Sequence, residues 1–98
     1  MRMQWTSKAS SDLVRLYDHL SPVAPEAAAR VVQQLSRAPD RLLDHPRIGE
    51  RLETYQPREV RRIIVGNYEL RYEIGSDGTI FILRVWHCRE NRSFAAEE

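Results

Sequence analysis

Apolar positions in the first half of the chain recur three and four residues apart; in the second half they alternate. Leu13, Leu16, Tyr17 and Leu20 form one stripe at helical spacing, which predicts an amphipathic helix across "TSKASSDLVRLYDHLS". Thr6 or Ser7 supplies its cap, because a side-chain oxygen accepts from the free N–H groups of the first turn. Pro22 ends that helix, and Pro25 suits the first turn of a second one. Ala28, Val31, Val32, Leu35 and Ala38 share a face of the second helix, and Pro39 breaks it. Asp40 then caps one further turn in "DRLLDH". Ahead of the helices, "RMQWT" reads as an edge strand with Met3 and Trp5 on one side.

The segment "HPRIGERLETYQPRE" carries turn signals at His45-Pro46 and Gly49 and reads as a loop. Three strands follow, at Val60–Val65, Tyr68–Ile74 and Thr79–His87, joined through Gly66-Asn67 and "GSDG". In the middle strand Tyr68, Leu70, Tyr72 and Ile74 alternate with Glu69, Arg71 and Glu73, which predicts one buried and one wet face. "TIFILRVW" is apolar on both faces and belongs inside the sheet. The order β-α-α-β-β-β predicts an α+β fold: a helical hairpin on one face of a roughly four-stranded antiparallel sheet. Residues 1–98 form a single domain, and residues from about 92 to 98 form a polar, frayed tail.

Composition narrows the setting. No apolar run approaches the ~20 residues needed to span a bilayer, and no hydrophobic segment of signal-peptide length opens the chain, so no membrane partner and a cytoplasmic location are expected. Cys88, the only cysteine, has no internal partner, which fits a reducing compartment. Net charge is +1, so no global field draws the protein to nucleic acid. Fourteen arginines stand against the single Lys8. Arginine makes forked contacts with carboxylates and phosphates that lysine cannot; a GC-rich genome produces the same bias without function.

No paired ligand spacing marks a metal site among His19, His45, His87 and Cys88, no phosphate loop exists, and no cofactor is expected. His87 and Cys88 point to opposite faces unless the strand ends there, so Cys88 reads as a packing residue. Arg61 and Arg62 must likewise face opposite ways. Arg71 shares the wet face with Glu69 and Glu73 as a surface charge ladder. Arg84 shares parity with Ile80, Ile82 and Trp86, and must meet a carboxylate, solvent or a ligand, since a buried unpaired guanidinium is costly. His87, in parity with Phe81, Leu83 and Val85, closes the strand, and Arg89 and Arg92 add a small basic patch beside it.

His45-Pro46 with Gly49, then Arg61-Arg62, then Tyr68 and Tyr72, then Ile82, Arg84, Val85, His87 and Arg89 follow a known family pattern. Asp12-Leu13 matches the end of that family's early motif. On these residues the chain resembles the ParE branch of the ParE/RelE toxin superfamily, the toxin halves of bacterial type II toxin–antitoxin modules. The resemblance spans nearly the whole chain and implies one of two activities. ParE-like members poison DNA gyrase and carry no catalytic residues; RelE-like members cut messenger RNA on the ribosome and need cations and proton-transfer groups on the sheet face. A RelE-type set here would be Arg71, Arg84, His87 and Arg89. Three departures disfavour it: Glu69 where that branch carries an arginine, Cys88 at a second arginine position, and Phe94 in place of a tyrosine. The implied gyrase-contact set is Arg61, Arg62, Arg84, His87, Arg89 and Arg92.

The resemblance also implies a cognate antitoxin, ParD-like or related, as partner. An apolar groove and a short edge strand invite a peptide from another chain, with Trp5, Leu13, Leu16 and Tyr17 as contributors that also suit core packing. A small nucleic-acid-binding accessory domain is a third reading. Against it, Arg47 to Arg92 holds nine arginines and seven acids, a net of only +2, so sequence-specific DNA binding is not expected.

Overall fold

The computed structural model describes residues 2–90. Strand β1 (Met3–Trp5) leads into α1 (Ser7–Leu20) and α2 (Pro25–Arg37), followed by a 3₁₀ segment at Ala38–Leu43. Strands β2 (Glu50–Arg51), β3 (Glu59–Val65), β4 (Tyr68–Ile74) and β5 (Ile80–His87) complete it, with a 3₁₀ turn at Glu53–Tyr55 between β2 and β3. The architecture is α+β, with two helices packed on a five-stranded sheet of order β1-β5-β4-β3-β2. The expected tail, with Arg92 and Phe94, lies outside the described residues.

The sheet differs from the four antiparallel strands expected. It is mixed, because β1 pairs parallel to β5 while the other pairs are antiparallel. The helices carry the chain from β1 to β2 at the far edge of the sheet, and three antiparallel steps back across it leave β5 running parallel to β1. β2 lies inside the segment read as loop. It pairs only Glu50 with Arg62 and Arg51 with Arg61, too short a run for alternation to reveal.

Local chemistry explains the helix boundaries. Thr6 Oγ1 accepts from Ala9 N at 3.1 Å and donates to the Ile82 carbonyl, so the α1 cap is also a tether to β5. Pro25 sits in the first turn of α2. Pro39 ends α2 as expected, but Asp40 makes no capping hydrogen bond; the chain passes directly into the 3₁₀ segment, capped at Arg37. The core unites Leu16, Leu35, Leu42, Ile63, Leu70, Tyr72, Ile80, Ile82 and Val85. Each such side chain contributes ~1.5–3 kcal/mol on burial.

Two surface expectations are corrected. The second sheet face is not wet at its centre: Glu69 is 1% exposed and Val60 and Trp86 are fully buried, because Tyr55, carried by the 3₁₀ turn, and the Arg71 guanidinium lie over it. Strand parity also fails at one point in β5. Arg71 pairs with Arg84 but Tyr72 pairs with Ile82, leaving Leu83 as a bulge. Beyond it the faces exchange, so Val85 joins Ile80 and Ile82 in the core cluster and Trp86 does not.

Candidate functional site

The bulge lies where β1 leaves the sheet. Register with β1 stops at Trp5 opposite Ile82, and α1 turns across the vacated edge of β5. Asp12, on the core-facing side of α1 and 3% exposed, occupies that edge. Its Oδ2 accepts from Arg84 Nε at 2.9 Å and from the Val85 N–H at 2.9 Å. Its Oδ1 accepts from the second arm of Arg84 at 3.0 Å and from Arg15 at 3.3 Å. One carboxylate thus satisfies a buried guanidinium, a strand amide and a second arginine. Of the three fates open to Arg84, a structural ion pair is the one observed.

Arg15 continues the network: it donates to the Val85 carbonyl at 3.2 Å and pairs with Glu90. Glu90 in turn accepts from the His87 N–H at 2.6 Å. The chain of charges runs Arg84–Asp12–Arg15–Glu90 and fastens the segment after β5 to α1.

Beside it is a hollow between the C-terminal half of α1 and the end of β5, lined by His19, Leu20, Tyr68, His87, Arg89 and Glu90 among others. Tyr68 and His87 meet edge to face, with ring centroids 5.1 Å apart. Burial and the nearby Glu90 carboxylate push the Tyr68 phenol above its ordinary range. The Arg89 N–H donates to His87 Nδ1 at 3.1 Å, which leaves Nε2 to carry the proton of a neutral ring. The Arg89 guanidinium is exposed and has no ion-pair partner among the described residues. The strand ends at His87, and Cys88 follows with its N–H bonded to the Asn67 carbonyl.

The opposite sheet face is a neutralised arginine layer. Glu69 accepts from Arg71 Nε at 2.9 Å and from Arg62 at 3.3 Å. Arg71 also donates to the Tyr55 hydroxyl at 2.7 Å, with its guanidinium carbon 4.7 Å from the Trp86 ring centroid. Arg62 pairs with Glu50, and that hydrogen bond leads the causes that raise its pKa. Arg61 faces the helix side, in register with Tyr72. It pairs with Glu59 and donates to the Gly49 carbonyl at 2.7 Å. Burial alone would raise the Glu59 pKa, but hydrogen bonds from Arg61 and Arg47 outweigh it and hold the carboxyl below its ordinary value.

The arginines named from sequence therefore divide. Arg71 lies over Glu69 and Trp86, whereas His87 and Arg89 lie toward the helices; Arg84 is locked to Asp12 between them. The structure does not gather Arg71, Arg84, His87 and Arg89 around one hollow. Of the apolar residues named, Leu16 is in the core and Trp5 and Leu13 pack half-buried against it, while Tyr17 is 40% exposed. Val14, its neighbour on the outer face of α1, is 60% exposed and escaped notice because it lies off the predicted stripe. Asp12, Arg15, Tyr55 and Glu90 were also missed as network members, since only tertiary placement joins them. Among the described residues no group of His, Cys, Asp and Glu could hold a metal ion, and no helix is long and apolar enough to cross a membrane.

The family described as the ParE toxin of the type II toxin–antitoxin system parDE matches residues 3–92. The chain is 36% identical over 84 residues to Toxin RelE2 of Caulobacter vibrioides, covering 86% of this chain and 91% of that protein. It is 33% identical over 64 residues to Toxin ParE1 of Mycobacterium tuberculosis, 65% of this chain and 64% of that one. Among solved structures, the chromosomal ParDE system of P. aeruginosa superposes with a TM-score of 0.74 at 27% identity, covering 89% of this chain and 95% of that chain. The toxin–antitoxin complex RelBE2 of M. tuberculosis superposes at 0.56 with 30% identity, covering 88% and 95%. The isolated E. coli RelE toxin shares the fold at 0.65 and 16% identity, covering 98% and 93%.

Proposed function

Because the chain belongs to the ParE toxin family of type II toxin–antitoxin systems, we propose that this toxin acts in the cytoplasm on DNA gyrase and is neutralised by a cognate antitoxin. The observation that carries the choice of target is Glu69, buried between Arg62 and Arg71. Cutting RNA requires uncommitted cations to take up charge on the scissile phosphate. The buried Glu69 carboxylate already engages both guanidiniums, so neither is uncommitted. A toxin that acts by contact has no such requirement, and the arginine layer then serves to rigidify the sheet. Arg89 and His87, outside that layer, are the target-contact residues. Arg61 and Arg84 act from beneath, by holding the loop at Gly49 and the edge of β5.

A second reading, ribosome-dependent RNA cleavage, is favoured by the similarity to the protein named RelE2. It would place the chemistry at the hollow lined by Tyr68, His87 and Arg89, a phenol, an imidazole and an exposed guanidinium.

The two separate in one set of assays. Purified toxin is expected to inhibit gyrase supercoiling or to accumulate cleaved DNA, and its expression to induce filamentation. Undisturbed supercoiling at saturating toxin, with messages cut in translating extracts, would establish the second reading instead.

A further inference from the structure

The hollow between the C-terminal half of α1 and the end of β5 is lined by donors that lack acceptors. Its volume is about 520 Å³, within the range of small-molecule sites. Arg15 and Glu90 line it but pair with each other, and Glu90 also accepts from the His87 N–H. The remaining charge is Arg89, exposed and without an ion-pair partner among the described residues. Three neutral donors line the hollow with it: the Tyr68 hydroxyl, the His87 Nε2–H and the His19 imidazole. None of the three has a hydrogen-bond acceptor among the described residues. Leu16 and the half-buried Leu20 add an apolar wall from α1, and the edge-to-face Tyr68–His87 pair adds an aromatic one. The groove at Arg37 and Arg41 differs. It sets two arginines against the exposed Ile64, with no phenol or imidazole among its lining groups.

From these groups we propose that the hollow is a binding site for a small phosphate monoester carrying a single ring. Such a group brings a charge of about −1.5 to −2 and three strong acceptor oxygens, a match for one guanidinium and the neutral donors that line the hollow with it. Arginine grips phosphate as a fork, and hydrogen bonds to an ionised acceptor are roughly twice as strong as neutral ones. The ring lies against Leu20 and the Tyr68–His87 pair, where its apolar surface leaves water. A carboxylate offers fewer oxygens and less charge, and a cationic ligand would meet Arg89 and find the one acid already engaged. A bound ligand covers His87 and Arg89, and so masks the residues assigned above to target contact. Only that consequence rests on the gyrase reading; the site is defined by its own groups.

The test titrates the full chain with phenyl phosphate and follows the Tyr68 ring, the His87 ring and the Arg89 side chain by NMR. Saturable shifts at all three are expected. Arg89→Gln should weaken binding at least about tenfold, the equivalent of 1.4 kcal/mol, whereas Arg37→Gln, at the other groove, should leave it unchanged. Inorganic phosphate lacks the ring and benzyl alcohol lacks the charge, so each should bind more weakly than phenyl phosphate. Failure to saturate, full affinity in Arg89→Gln, or inorganic phosphate binding as tightly as phenyl phosphate overturns the proposal. So does a single-stranded RNA that shifts the same signals at far lower concentration, which would assign the hollow to a nucleic-acid strand. Gyrase inhibition should fall as phenyl phosphate saturates the toxin, and unchanged inhibition at saturation overturns the masking. The titration itself contains no gyrase. A chain that binds phenyl phosphate yet leaves gyrase alone refutes only the target reading, and one that inhibits gyrase but ignores phenyl phosphate refutes only this site.

Discussion

At the residue scale, the buried Asp12 carboxylate accepts from two arginines and a strand amide at once. It lies at a core-facing helical position because Arg84 and the Val85 N–H meet it there. Removing one partner of a buried pair strands the other, at a cost of ~3–5 kcal/mol. Asp12→Ala strands Arg84 and the strand amide together and should lose that full amount in urea unfolding. Arg84→Met should lose less, because Arg15 still neutralises Asp12. Equal losses, or a loss near zero for Asp12→Ala, would mean that the carboxylate is not the keystone of this edge. The pair was half legible: strand pattern required a partner for Arg84, and nothing in it pointed to a residue 72 positions earlier. Glu69 misled for a related reason. Alternation placed it on the correct face, but a face is wet only if no other segment covers it, and Tyr55 does.

At the element scale, the His-Pro-x-x-Gly motif acquires a physical reason. The Tyr72 hydroxyl donates to the Pro46 carbonyl at 2.7 Å and accepts from Gly49 N at 3.0 Å, pinning both ends of the loop to β4. A Cβ at Gly49 would lie 2.6 Å from the Arg62 carbonyl oxygen and 2.7 Å from the Tyr72 hydroxyl, so glycine is required by space, not by an unusual dihedral. Tyr72→Phe leaves the Gly49 amide and the Pro46 carbonyl without that partner, at ~1–3 kcal/mol. The expected result is faster exchange of the Gly49 amide with the sheet otherwise protected; unchanged exchange would show that the loop stands without the phenol. Long elements with a clear period were readable, and Tyr68–Ile74 matches residue for residue. β2 and the bulge at Leu83 were not, because a two-residue strand has no period and a bulge is an interruption of one.

At the scale of the whole molecule, the surface sorts into a neutralised side and open ones. The arginine layer leaves little free charge on the sheet face, so recognition falls to the hollow at Arg89, the groove at Arg37 and Arg41, and the outer face of α1. On that face Val14 and Tyr17 lie three residues apart, which places them side by side on a helix. Both are exposed, and neither belongs to the core cluster. An antitoxin that covers α1 must bury them, whereas a target bound at the end of β5 need not. Val14→Asp with Tyr17→Asp should therefore leave growth arrest intact while co-expressed antitoxin no longer relieves it, and the complex should fail to co-purify. Loss of toxicity with retained folding would move the target site onto α1, and intact neutralisation would move the antitoxin off it. The outcome separates two surfaces that the family resemblance alone leaves superimposed.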